Sequence, residues 1–237
     1  MPRGKAALVR YTDTMTSRYA LYETAKLRDR FNLADGVPKG IKPHYNISPI
    51  YAVPVVVARD GKNSLELMKW GFLPKNATDA NSVFRYKTFN ARTDGIFSKP
   101  IWQGAIRTAR CLIPANGFYE WKTTADGKRP FYIQPLDQPL FAFAGIYGSW
   151  TDADGKEWQT CAIITAPSGS GSDMVPRRLP VIVHPEDEAA WLNEDATDVT
   201  TLYRIMRPYD AEQLTFTTVG DGINSTKIDT SELIKGV

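Results

Sequence analysis

Apolar and polar positions alternate along this chain in short runs broken by Gly, Pro, Asn and Asp, the pattern of many short strands rather than of long helices. Val53 to Ala58 is β-branched and apolar, and Leu65 and Leu67 alternate with polar neighbours toward Trp70, which predicts a hairpin across Asp60-Gly61. Further strands are predicted at Ala109 to Pro114, Tyr119 to Lys122, Pro130 to Ile133, Leu140 to Ile146, Gln159 to Thr165 and Val181 to Val183. Asp126-Gly127 and Asp154-Gly155 supply turn chemistry between them. Helical spacing is rarer. Leu27 and Phe31 lie four apart within Leu21 to Phe31, with Glu23 early and Lys26, Arg28 and Arg30 late, which predicts a short surface helix aligned with its dipole. Pro185 to Leu192 opens with Pro and acids, as a helix N-terminus does, and a second late helix is predicted over Thr200 to Met206. Ser168 to Ser172 reads as a Gly/Ser loop. The expected fold is α+β: a strongly curved mixed sheet or open barrel with peripheral helices. No repeat or linker divides the chain, so one domain is expected over residues 15–237, after an N-terminal extension of residues 1–14.

Composition narrows this little. A chain of 237 residues that is 43% hydrophobic can bury a substantial core, and 23% charged residues suit a soluble globular protein. A net charge of +3 and an isoelectric point near 8.7 permit a nucleic-acid partner without demanding one. Cys111 and Cys161 each sit in an apolar run, where a buried small side chain is the expected state, and a cytoplasmic location follows as the default. No run approaches the length needed to cross a bilayer, and Ala6 to Val9 is too short for a signal-peptide core. Neither a metal nor a cofactor is expected.

Four segments interrupt structural runs with polar or special residues: Tyr45-Asn46-Ile47-Ser48-Pro49, Phe89-Asn90-Ala91-Arg92, Gly117-Phe118-Tyr119-Glu120-Trp121 and Pro176-Arg177-Arg178-Leu179-Pro180. A carboxylate between Tyr119 and Trp121 is either partly desolvated, with the raised pKa of a general acid or base, or an outward strand residue paired with an arginine. Asn90 and Arg92 share a face if the segment is extended, offering an amide and a guanidinium to one ligand; a turn-capping Asn and a surface Arg are the plainer reading. Arg177-Arg178 between prolines is a rigid basic loop that either grips phosphates or is solvated.

Taken together, the segments resemble the SRAP (SOS-response-associated peptidase) family, whose members begin Met-Cys-Gly-Arg-Tyr/Phe. They continue with YNxAP-like, WG(F/Y)xP, NAR, GF(Y/F)EW and HxRMP segments. Here the series reads Met15 to Tyr19, Tyr45 to Pro49, Trp70 to Pro74, Asn90 to Arg92, Gly117 to Trp121 and Pro176 to Pro180, in that order. The resemblance implies an abasic-site protein acting on single-stranded DNA as a monomer. In the family, removal of the initiator Met exposes a Cys whose α-amine and thiol capture the ring-opened aldehyde, while Asn and Glu orient and shuttle protons. Carried over, the resemblance implies Thr16, Asn90 and Glu120 as the chemical residues and Arg18, Pro49, Arg92, Trp121 and Arg178 as DNA contacts. Two positions depart: Thr16 stands where the family has Cys, and Pro176 where it has His. Asn76 and Ala77 lack the bulky aromatics that some relatives place after the WG segment. Two readings remain open. One is a DNA-binding module that has lost cross-linking; the other is an enzyme using Thr16 as an N-terminal residue, exposed by a start at Met15 or by self-cleavage.

Overall fold

The computed structural model describes the backbone of residues 10–11 and residues 16–74, 77, 79–80, 82–124, 127–169, 175–196 and 198–237. In chain order the elements are β1 (Arg10–Tyr11), β2 (Tyr19–Leu21), α1 (Leu27–Arg30), β3 (His44–Ile47), β4 (Ala52–Arg59), β5 (Lys62–Trp70), α2 (Ser82–Tyr86) and β6 (Asn90–Arg92). They continue with α3 (Ala105–Thr108), β7 (Arg110–Ala115), β8 (Gly117–Thr124), β9 (Gly127–Pro135), β10 (Phe141–Thr151) and β11 (Glu157–Pro167). The chain closes with β12 (Arg178–Pro180), β13 (Ile182–Val183), α4 (Pro185–Leu192), α5 (Val199–Ile205) and β14 (Leu214–Thr218).

The predicted hairpin is β4–β5, turning on Asp60 and Gly61 with φ of 51° and 73°, the double left-handed pair of a type I′ turn. Strands β5, β4, β7, β10 and β11 pair in that order, and β11 returns to pair in parallel with β5 at Thr160–Lys69 and Cys161–Trp70. The α+β fold with a strongly curved mixed sheet is therefore present, and the curvature goes as far as closure of a five-stranded barrel. Cys111 and Cys161 are fully buried in it, and burial pushes both thiols well above their ordinary range.

A second sheet runs β14-β9-β8-β2-β3, with β1 on β8. It lies against the barrel through Tyr19, edge-on to Trp70 and Phe143 at 5.2 and 5.8 Å, and through Phe118, 5.9 Å from Phe143. Its other face is covered by the C-terminal segment, where Tyr119 and Tyr132 join Val219, Ile223 and Leu233 in a small separate core. Gly117 is required at the start of β8, because a Cβ there would come within 2.2 Å of the Tyr132 ring.

Two local expectations are corrected. The helix predicted over Leu21 to Phe31 is reduced to a 3₁₀ turn, Thr24–Lys26, followed by α1, because Tyr19–Leu21 pairs with β3 and β8 and is wholly buried as a strand. Arg178 is not in a loop: it opens β12, opposite Pro167 of β11. The expected Ser168 to Ser172 loop, the Asp126 turn and Asn76 fall partly or wholly outside the described residues.

Candidate functional site

β8 decides where the carboxylate goes. Successive strand side chains point to opposite faces, so Glu120 shares the barrel-facing side with Phe118, while Tyr119 and Trp121 face the C-terminal segment. The carboxyl is thus desolvated from the side opposite the two aromatics that flank it in sequence. It is 3% exposed, and burial raises its pKa from the ordinary 4.5 to about 8, with a hydrogen bond from Thr16 working in the other direction.

Thr16 precedes β2 in an extended segment fixed to β8 by the hydrogen bond from Tyr119 N–H to Arg18 C=O (3.0 Å). Its hydroxyl donates to Glu120 Oε1 at 2.5 Å, and its carbonyl accepts from Asn90 Nδ2 at 2.7 Å. Asn90 is brought there by β6, which lies parallel to β11 with Asn90 opposite Ile163 and Arg92 opposite Thr165. Three residues far apart in sequence therefore meet in one closed polar site, in which Thr16 and Asn90 are 2% and 3% exposed. The Oδ1 of Asn90 has no hydrogen-bond partner among the described residues, which leaves a buried acceptor available to a hydroxyl or N–H.

The arginines surround this site unequally. Arg18 donates to Asn46 Oδ1 (2.9 Å), and Asn46 in turn holds the C-terminal segment through the carbonyls of Ser225 and Ile228. Arg92 and Arg178 both grip Asp94, at 2.8 and 2.6 Å, and Arg178 also donates to the Thr165 carbonyl. Partial burial works to raise the Asp94 carboxyl, but hydrogen bonds from Arg178 and Arg92 outweigh it and hold it below its ordinary value. The trio carries one net positive charge. Pro49 is buried at the second position of a turn in which Tyr51 N–H donates to Ser48 C=O (3.2 Å). Trp121 lies on the far face of β8, its indole N–H on Asn224 Oδ1 (2.9 Å), and strand alternation keeps it away from Glu120.

Sequence reasoning passed over α2. Phe84, Arg85, Tyr86 and Lys87 are four consecutive exposed residues, with Phe84 and Tyr86 51% and 65% accessible, three residues before Asn90. The helix is anchored by Val83, against which Gly71 packs so closely that a Cβ would lie 2.5 Å from it. The alternation of aromatic and basic side chains was the available signal. Among the described residues no cluster of His, Cys, Asp and Glu could hold a metal ion, and no helix is long and apolar enough to cross a membrane.

A five-stranded barrel flanked by a second sheet, with Thr16, Asn90 and Glu120 brought together from three segments, is the setting of the site, and the SOS response associated peptidase (SRAP) family model matches residues 15–226. The chain belongs to this family. It is 34% identical over 224 residues to the abasic site processing protein YoqW of Bacillus subtilis, covering 93% of this chain and 99% of that protein. It is 30% identical to the abasic site processing protein HMCES of Gallus gallus, over 81% of this chain and 66% of that one. A crystal structure of a Bacteroides thetaiotaomicron protein superposes with a TM-score of 0.80 at 25% identity, covering 93% of this chain and 99% of that one.

Proposed function

We propose that this chain binds single-stranded DNA at abasic sites, seating the base-free sugar at Thr16, Asn90 and Glu120, and holds it without the durable covalent link of its family. The observation that carries this reading is the convergence of the Thr16 hydroxyl, the Glu120 carboxyl and Asn90 Oδ1, which is unpaired among the described residues, in one closed polar site. Its polar atoms offer hydrogen bonds and no apolar or aromatic face on which a base would stack. It suits the hydroxyl or aldehyde that remains when a base is lost.

With a pKa near 8, Glu120 is mostly protonated at neutral pH and can donate to a carbonyl oxygen, while Asn90 Oδ1 accepts from a sugar hydroxyl. The ring-closing step lacks its thiol, because Thr16 offers a hydroxyl there, and in a chain that starts at Met1 the Thr16 nitrogen is also a peptide amide whose lone pair is delocalised. Arg18, Arg92 and Arg178 supply phosphate contacts, Pro49 a further contact to the strand, and the exposed aromatics of α2, which precedes β6 in the chain, a stacking surface. Trp121 contributes by fastening the C-terminal segment, from which Asn46 and Arg18 take their positions.

Binding to an oligonucleotide carrying a tetrahydrofuran abasic analogue should weaken with salt, and Arg92→Ala should flatten the log–log slope by about 0.7, the single-strand value for one phosphate contact. Fluorescence anisotropy from low to moderate salt measures this; an unchanged slope removes Arg92 from the interface. Phe84→Ala and Tyr86→Ala should each cost roughly 1–3 kcal/mol of binding with little change in melting temperature, because each exposes no core. Full retention of affinity by both would take α2 out of the reading.

A further inference from the structure

An apolar cavity of about 220 Å³ opens between β2, β3 and the β4–β5 hairpin, and the proposed chemistry leaves it unused. Leu21, Ile47 and Leu67 form its walls, Tyr51 stands at its mouth, and Lys42 and His44 border it. Tyr51 and Leu67 are 41% and 51% exposed, two large side chains left in water at the edge of a hollow they do not fill. None of the described residues lining it is acidic, although Asp229 engages His44 Nδ1 at 2.6 Å.

The turn that presents Tyr51 is strained. Ser48-Pro49-Ile50-Tyr51 closes with an i to i+3 hydrogen bond, has Pro at its second position and a φ of 76° at its third, the description of a type II turn. That third position calls for Gly, yet here it is Ile, a β-branched residue for which positive φ is a genuine outlier. Strain of this kind persists where the surrounding structure imposes it, and it gathers at ligand-binding segments. Arg18, two residues from Thr16, donates to Asn46 Oδ1 at 2.9 Å, and the next residue, Ile47, lines the cavity.

We infer that this cavity receives one unstacked nucleobase flanking the abasic residue, with Tyr51 stacking on the base and Lys42 and Arg18 facing its phosphates. The inference rests on the single-stranded DNA reading and deepens it. The volume is below the roughly 300–1,000 Å³ of sites for drug-sized ligands, so it suits one ring system rather than a whole nucleotide. Apolar walls under an aromatic lid accept the face of any base, and cations at the rim select a polyanion over a neutral apolar ligand. His44, edge-on to Tyr51 at 6.5 Å, completes an aromatic corner.

The test is a base-deletion cycle on the full chain. Single-stranded oligonucleotides carry a central tetrahydrofuran residue, and in a second series one neighbouring base at a time, on either side, is also replaced by tetrahydrofuran. Wild type should lose roughly 5- to 160-fold in affinity when one particular neighbour is deleted, the range for a stacked base. Tyr51→Ala should bind the parent oligonucleotide weaker by a similar factor and become indifferent to that deletion. Leu67→Gln, at a position already half in water, should shift the same way without unfolding the chain. Equal responses of wild type and Tyr51→Ala to every deletion would overturn the base pocket alone. Failure of wild type to bind any oligonucleotide at low salt would overturn the DNA reading, and this inference with it.

Discussion

A chain shortened to begin at Met15 and carrying Thr16→Cys is expected to form a durable cross-link with abasic single-stranded DNA, whereas the same short chain with Thr16 gives only an imine that must be trapped with borohydride. The small second residue permits removal of the initiator methionine, which leaves a primary amine at residue 16 beside Asn90 and Glu120. That amine adds to the C1′ aldehyde of the opened sugar; water then leaves as the imine forms, with the Glu120 carboxyl placed to supply the proton. A cysteine thiol next adds to the imine carbon, returning the nitrogen to an amine and closing a five-membered thiazolidine. A threonine hydroxyl is the poorer nucleophile for that closure, so the imine stays open to water. Denaturing gels with and without borohydride separate the two outcomes. A borohydride-independent adduct from the short Thr16 chain would show that the hydroxyl suffices and that the loss of the thiol explains nothing.

Glu120→Gln should stabilise the fold at alkaline pH by an amount approaching 5 kcal/mol and have little effect near pH 4. Burial favours the protonated carboxyl in the native state, with a pKa of about 8 against 4.5 when unfolded. Between those values the folded chain binds the extra proton, so stability falls as pH rises through this window and levels off above it. The difference of about 3.5 units corresponds at 1.36 kcal/mol each to the figure above. Glutamine keeps an oxygen for the Thr16 hydroxyl and never ionises. Urea unfolding of both proteins between pH 4 and 9 should give curves that diverge upward in pH; curves that run parallel would mean that Glu120 is ionised in the folded protein without cost.

The β4–β5 hairpin was legible because its turn, Asp60-Gly61, and its alternation are both local. Barrel closure was not, since it depends on parallel pairing between Trp70 and Cys161, which no local pattern encodes. The spacing of Leu27 and Phe31 was rightly helical, yet Leu21 was claimed by β2 because tertiary pairing overrides weak propensity. Glu120 illustrates the limit most directly. β8 is covered on both faces, by the barrel and by the C-terminal segment, so its residues carry no period-two signal and its neighbours in sequence misdirect the eye. The order of the motifs groups Thr16, Asn90 and Glu120, whereas the contacts that join them, across 74 and 104 positions of chain, come only from folding. Phe84 to Lys87 went unread because a five-residue helix with an exposed end shows no apolar stripe.

This chain is expected to hold abasic single-stranded DNA at low salt without a covalent bond. One sample of the 237-residue protein, incubated at low salt with an oligonucleotide bearing a natural abasic site, decides it when split between a native and a denaturing gel. A retarded band on the native gel and free oligonucleotide alone on the denaturing gel is the predicted result. An adduct that survives denaturation with Thr16 still internal would contradict it, because a nucleophile other than residue 16 would then be at work.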